Sequence, residues 1–321
     1  MAHFDLPLED LRTYKPERSE AADFHAFWAD TLAASRAKSA APDLTPHTSP
    51  LRTVDVFDVS YSGFDGQRVK AWLVQPAGAT GPLPCVVEYI GYGGGRGFPS
   101  QRLLWSAAGF AHFVVDNRGQ SAADTPDIDA NGFVPHVPGY LTRGIESPET
   151  HYYRRLMTDA VLAVDTVAAL PQVDDARIAL IGGSQGGGLT LAVAGLHDRP
   201  IAAVVDVPFL CGYRRAASLV ETAPYVEISR YLALRNADEE RFFEVLSYFD
   251  GINFAPRAVA KALFSVALFD DVCPPSTVYA AYNHYAGAKS MTVFPFNHHE
   301  GGGVRHDEER LAFIATAFGR D

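Results

Sequence analysis

The spacing of apolar positions changes several times along the chain, and each change marks an element. Between residues 5 and 38, Phe24, Phe27, Trp28 and Leu32 recur at helical spacing, which predicts helical decoration laying one apolar face on a larger body. Residues 39–53 are polar and proline-rich and read as a connector. From Val54 to Tyr61 the period falls to two, Gly63-Phe64-Asp65-Gly66 supplies turn residues, and Val69 to Val74 resumes the strand. That pattern is an antiparallel hairpin at one edge of a sheet.

Downstream, residues 84–90, 111–116, 178–181 and 201–207 are short, nearly continuous apolar runs, as expected of strands covered on both faces. Helical stretches separate them: one through Leu103-Leu104-Trp105, one over 152–170 with Leu156, Ala160, Val161 and Val164 on one face, and one through Leu189 to Ala194. The alternation resumes with strands at 262–269 and 291–296 around a helix at 276–285. A last amphipathic helix carries Leu311, Phe313, Ile314 and Phe318. Such alternation predicts an α/β protein with right-handed crossovers and a mostly parallel central sheet flanked by helices.

Two segments interrupt it. Residues 121–150 are rich in Pro, Gly and Asp without periodicity and read as a surface or interface loop. Residues 208–260, after the sixth expected strand, are mostly helical and carry Tyr213, Tyr225, Tyr231, Phe242, Phe243, Tyr248 and Phe249. An insertion there would form a cap, with these aromatics mainly in its own core. The expectation is a single domain over 1–321, with an N-terminal extension and connector (1–53) and a helical cap (208–260).

Composition narrows the partners. A net charge of −11 from 27 basic and 38 acidic residues opposes nucleic acid and anionic membranes and favours a neutral or weakly charged substrate. Cys85, Cys211 and Cys273 sit beside apolar or proline residues and form no disulfide framework, which points to a reducing compartment. The start, Met1-Ala2-His3-Phe4-Asp5-Leu6-Pro7, lacks the basic flank and apolar run of a signal peptide, and no stretch is long enough to span a bilayer. The expected location is the cytoplasm.

The chemistry centres on the run Ile178 to Gly188, in which an aliphatic strand ends in Gly182-Gly183-Ser184-Gln185-Gly186 and a helix follows. A strand, a tight turn and a helix are the setting in which Gly-x-Ser-x-Gly exposes a nucleophilic serine. The helix start aims unpaired N–H groups and a positive dipole end at the serine, so the Gln185 N–H is a candidate oxyanion donor. A second donor, the Tyr92 N–H, lies in the loop Gly91 to Gly97, whose spacing matches neither a phosphate loop nor a dinucleotide fingerprint. Serine needs a base at neutral pH, and a histidine held by a carboxylate supplies one. His299 is the preferred base and Asp270 the preferred acid; His298 and Asp271 are their adjacent rivals. His298-His299-Glu300 is a weak metal pattern, because neighbouring side chains point apart and no third ligand stands at a recognisable spacing.

Arg118-Gly119-Gln120, Gly182-Gly183-Ser184-Gln185-Gly186 and His299-Glu300 together resemble the three-part signature of the acetyl xylan esterase and cephalosporin C deacetylase family, the seventh carbohydrate esterase family. The likeness runs from Phe4-Asp5-Leu6-Pro7 to Cys273-Pro274-Pro275-Ser276-Thr277. It implies an α/β-hydrolase fold, removal of acetyl groups from small acetylated sugars and from cephalosporins, and no cofactor. It also implies a ring-like homohexamer, a triad at Ser184, Asp270 and His299, and an oxyanion hole at Tyr92 and Gln185. Two departures stand out: a short stretch after Gln120, and Gly212 where a larger residue is expected, which would widen the pocket. Arg118 reads as a brace for loops under the serine turn rather than a catalytic group. A broader short-chain carboxylesterase or acyltransferase, and a non-catalytic binding module on the same fold, are the competing readings.

Overall fold

A nine-stranded sheet carries the chain, and its order explains where the reactive loops meet. The computed structural model describes residues 4–129, 132–236 and 238–320. Met1, Ala2 and His3, part of the start read for a targeting signal, lie outside the described residues. The strands are β1 (Asp43–Pro46), β2 (Val54–Ser62), β3 (Arg68–Pro76), β4 (Leu83–Tyr89), β5 (Ala111–Val115), β6 (Asp127–Asp129), β7 (Gly132–Val134), β8 (Val173–Gly183), β9 (Ala202–Asp206), β10 (Lys261–Ala267) and β11 (Lys289–Phe294). The large sheet has the order β1-β2-β3-β5-β4-β8-β9-β10-β11, and β6 and β7 form a separate hairpin. Pairing is antiparallel from β1 through β3 to β5 and parallel from β5 to β11.

The helices are α1 (Leu8–Thr13), α2 (Phe24–Arg36), α3 (Leu104–Ala107), α4 (Tyr152–Ala168), α5 (Gln185–Leu196), α6 (Tyr213–Leu219), α7 (Val226–Arg235), α8 (Glu239–Ser247), α9 (Gly251–Phe254), α10 (Pro275–His284) and α11 (Gly303–Ala317). Strands β5 and β9 are wholly buried, and so are most of β4 and the stretch 178–182 of β8, as their apolar sequence requires when helices cover both faces. The fold is that of an α/β hydrolase, with β8 at the centre of its parallel part. Among the described residues no helix is long and apolar enough to cross a membrane.

Two segments differ in detail from the sequence reading. Residues 43–46 of the expected connector pair with β2 and form the edge strand beyond the hairpin, although they are mostly exposed. Because they lack a buried face, no apolar alternation marks them. This extra strand makes β9 the seventh strand of the large sheet in chain order, and the helical insertion follows it. The segment 121–150 is not a simple surface loop. Asp127, Tyr140 and Leu141 are fully buried, and Asp127 pairs with Arg155 of α4 at 2.8 and 2.6 Å; its residues 130 and 131 lie outside the described residues.

The N-terminal extension and the insertion pack on each other. Phe24, Trp28 and Leu32 of α2 are buried, Trp28 Nε1 donates to the Tyr248 carbonyl at 2.9 Å, and the Trp28 ring meets Phe249 and Phe254. Tyr213, Tyr225, Phe242, Tyr248 and Phe249 are buried, so most cap aromatics form the core of this layer. Each contributes on the order of 1.5–3 kcal/mol by leaving water.

Candidate active site

Ser184 caps the junction of β8 and α5 at φ 57° and ψ −121°, a conformation that a non-glycine residue holds only when its surroundings enforce it. Close backbone contact does the enforcing. A Cβ at Gly182 would lie 2.3 Å from the Gly186 carbonyl, and one at Gly186 would lie 2.1 Å from the Tyr89 carbonyl oxygen. The turn is also tied at both ends: the Ser184 N–H donates to the Asp206 carbonyl and the Phe209 N–H to the Ser184 carbonyl, each at 2.9 Å.

His299 lies in the loop between β11 and α11, with Nε2 2.9 Å from Ser184 Oγ and Nδ1 2.8 Å from Asp270 Oδ2. Asp270 follows β10 and is fully buried; its Oδ1 accepts the N–H groups of Val272 and Cys273 at 2.9 and 2.8 Å. Those bonds hold the carboxylate facing the imidazole. The rivals lie elsewhere: His298 is exposed with its ring near Phe269, and Asp271 is exposed with its carbonyl accepting from Thr222. Adjacent residues in these loops meet different surroundings, which the sequence does not reveal.

The loop that bears Tyr92 runs beside the serine turn: a Cβ at Gly91 would lie 3.9 Å from the Gly183 carbonyl oxygen. Gln185 is the first residue of α5, so its N–H has no acceptor within the helix. Among the described residues the Tyr92 N–H has no hydrogen-bond acceptor. Gln120 joins their loops: its Oε1 accepts the Gly93 N–H at 2.6 Å, and its Nε2 donates to Gln185 Oε1 at 2.7 Å. Gln120 was visible as part of a motif, but its partners, 27 and 65 residues away in sequence, were not. Arg118 is buried and grips Asp159 of α4 at 2.5 and 2.6 Å, with a further bond to Gln67 Oε1 at 2.6 Å. It touches neither Ser184 nor His299.

Asp270, Cys273 and His299 present an oxygen, a sulfur and a nitrogen within 4.8 Å of one another. They suit a metal poorly. Burial, reinforced by Asp270, keeps the Cys273 thiol well above the ordinary thiol range, and both His299 nitrogens already face protein partners. Gly212 does not widen the space at the serine. It caps α6 in the left-handed region at φ 59° and lines a separate cavity of about 830 Å³ between the N-terminal extension and the cap, whose lining excludes Ser184, Asp270 and His299.

Comparisons with known proteins show the family of the chain. The family model for acetyl xylan esterase (AXE1) matches residues 1–317. The chain superposes on an acetyl xylan esterase from Paenibacillus sp. R4 with TM-score 0.90 and 39% identity, over 97% of this chain and 99% of that one. For acetyl xylan esterase 1 from Thermoanaerobacterium sp. JW/SL YS485 the values are 0.89 and 30%, over 98% and 99%. The acetyl esterase Axe7A of Xylanibacter ruminicola is 27% identical over 296 residues, which are 89% of this chain and 65% of that longer protein. The chain belongs to the acetyl xylan esterase family of carboxylic ester hydrolases.

Proposed function

We propose that this protein hydrolyses acetyl esters of small sugars, such as acetylated xylo-oligosaccharides, through an acetyl-serine intermediate on Ser184. The observation that carries the reading is the continuous line from Ser184 Oγ to His299 Nε2 (2.9 Å) and from His299 Nδ1 to Asp270 Oδ2 (2.8 Å). As Oγ attacks the acetyl carbonyl carbon, His299 Nε2 takes its proton, and Asp270 holds Nδ1–H so that Nε2 faces the serine. The carbonyl oxygen gains charge and is met by the N–H groups of Tyr92 and Gln185, dipoles already in place before reaction. Collapse expels the sugar oxygen, which takes the proton from His299. Water then attacks the acetyl-serine carbonyl, gives a proton to His299, and acetate leaves as Ser184 recovers its hydrogen. The acetoxy ester of cephalosporin C has the same reacting carbonyl and is the second substrate proposed.

The test is acetate release from xylose tetraacetate by the unmodified protein and by Ser184→Ala at matched folded concentration. Release that vanishes with the serine supports the reading. Absence of release by the unmodified protein sinks the sugar-acetate assignment, and release that survives in Ser184→Ala sinks the serine mechanism.

A further inference from the structure

The Tyr92 side chain is bound more tightly than a backbone donor alone requires. Its hydroxyl donates to Glu227 Oε1 and accepts the N–H groups of Gly139 and Tyr140, both at 3.2 Å. Glu227 stands in the first turn of α7, within the cap. The same carboxylate accepts the Gly139 N–H on Oε1 at 3.0 Å and the Leu141 N–H on Oε2 at 3.1 Å. One side chain therefore gathers the loop of Tyr92, the segment 139–141 and the cap at a single point.

The other end of the Tyr92 backbone is held as well. Its N–H belongs to the Gly91–Tyr92 peptide, whose carbonyl oxygen accepts Asn117 Nδ2 and the Gly94 N–H, each at 3.1 Å. A peptide unit is planar, so fixing its oxygen and the side chain that follows fixes the direction of the N–H. The Tyr92 ring is wedged between Tyr140 and Phe209, with centroids 4.9 and 5.9 Å away, and Phe209 is bonded to the Ser184 carbonyl. The donor, the serine turn and the cap thus share one rigid contact set, and its polar hub is Glu227.

We propose that Glu227 is a positioning residue for ester hydrolysis: through the Tyr92 hydroxyl it sets the aim of the Tyr92 N–H at the developing oxyanion and makes that aim depend on the seating of the cap. The proposal rests on the reading of Tyr92 as an oxyanion donor. Its bond to the phenol matters in the transition state more than in the bound ester, because negative charge builds on the carbonyl oxygen only as the serine adds.

The experiment is a double-mutant cycle with Glu227→Gln and Tyr92→Phe, read with xylose tetraacetate and with a trifluoromethyl ketone, whose adduct with a serine places an oxyanion in the same hole. Gln keeps the shape and an acceptor oxygen, and Phe leaves the cap helix and the Tyr92 N–H untouched. Since small misplacements of reacting groups cost up to about 100-fold, each single substitution is expected to lower kcat roughly tenfold with KM nearly unchanged. The double variant is expected to be no worse than either single one, because one substitution weakens and the other removes the same contact. Ketone inhibition is expected to weaken by the same factor as kcat. Wild-type kcat in both single variants, or losses that multiply in the double variant, would overturn the proposal. Turnover that persists in Ser184→Ala would instead overturn the underlying reading of the site, so the two failures are told apart.

Discussion

Gln120 and Gln185 face each other through their side-chain amides, with Gln120 Nε2 2.7 Å from Gln185 Oε1 and Gln185 Nε2 3.3 Å from Gln120 Oε1. Both side chains are fully buried, and Tyr153 Oη donates to Gln185 Oε1 at 3.0 Å. This amide pair joins the loop that bears Tyr92 to the first turn of α5, so it sets the separation of the two proposed oxyanion donors. Gln120→Leu removes the acceptor of the Gly93 N–H and one of the partners of the Gln185 amide, at a cost of ~1–3 kcal/mol in stability. The rate is expected to fall more sharply, by roughly 10- to 100-fold in kcat with KM little changed, because a displaced donor acts on the transition state. Steady-state kinetics beside a urea titration check this; a raised KM with unchanged kcat would show that Gln120 touches substrate instead.

The two adjacent histidines separate cleanly. His299→Ala removes the partner of Ser184 Oγ and is expected to reduce kcat by more than about 1,000-fold, as loss of a triad base does. His298→Ala removes an exposed ring and is expected to leave kcat within about threefold, since surface substitutions away from special features cost little. Reversal of that order would transfer the base to His298.

Arg118 lies beneath the reaction rather than in it. Its guanidinium offsets the buried Asp159 carboxylate, so Arg118→Met is expected to lose ~3–5 kcal/mol of stability by leaving that charge unpaired. Turnover by the fraction that remains folded is expected to stay close to that of the unmodified protein. Chemical denaturation with active-site titration by a serine-reactive phosphonate distinguishes this from a catalytic arginine, which would lower turnover per titrated site.

His306 provides a pH signature. It is buried with Nε2 2.8 Å from Asp206 Oδ1 and Nδ1 3.0 Å from Glu309 Oε2, while Arg310 also bonds Asp206 at 3.0 Å. Burial alone would lower its pKa and Arg310 works in the same direction, but the Asp206 and Glu309 carboxylates outweigh both and hold it above the ordinary value of 6.5. The charged ring therefore stabilises the fold fully below that value, and the contribution fades as pH rises through the higher folded-state pKa. The stability difference between the unmodified protein and His306→Asn is expected to shrink as pH is raised from 6.5. Urea midpoints across that range check it, and a difference that stays constant would show that the ring is neutral throughout.

The sequence by itself determined the class of the fold, the order of strands and helices, and the serine turn, because these depend on local periodicity and on glycines that bonded neighbours force. Period-two and continuous apolar runs marked β2, β3, β4, β5, β8, β9, β10 and β11, and Gly182 and Gly186 marked the apex at Ser184. Position after a strand made Asp270 the preferred acid and His299 the preferred base, with Asp271 and His298 as adjacent rivals, and the family resemblance implied the same pair. What only the tertiary structure decided were facts of side-chain direction and distant contact. It turned His299 rather than His298, and Asp270 rather than Asp271, towards the serine. It paired exposed residues 43–46 at the edge of the sheet, buried Asp127 and Tyr140 inside an apparently featureless loop, and moved Gly212 away from the reaction. It also brought Glu227 to Tyr92 across 135 residues of chain. A carboxylate on an amphipathic helix looks solvated in sequence; only the packing of that helix against two other segments makes it the hub of a partly buried network.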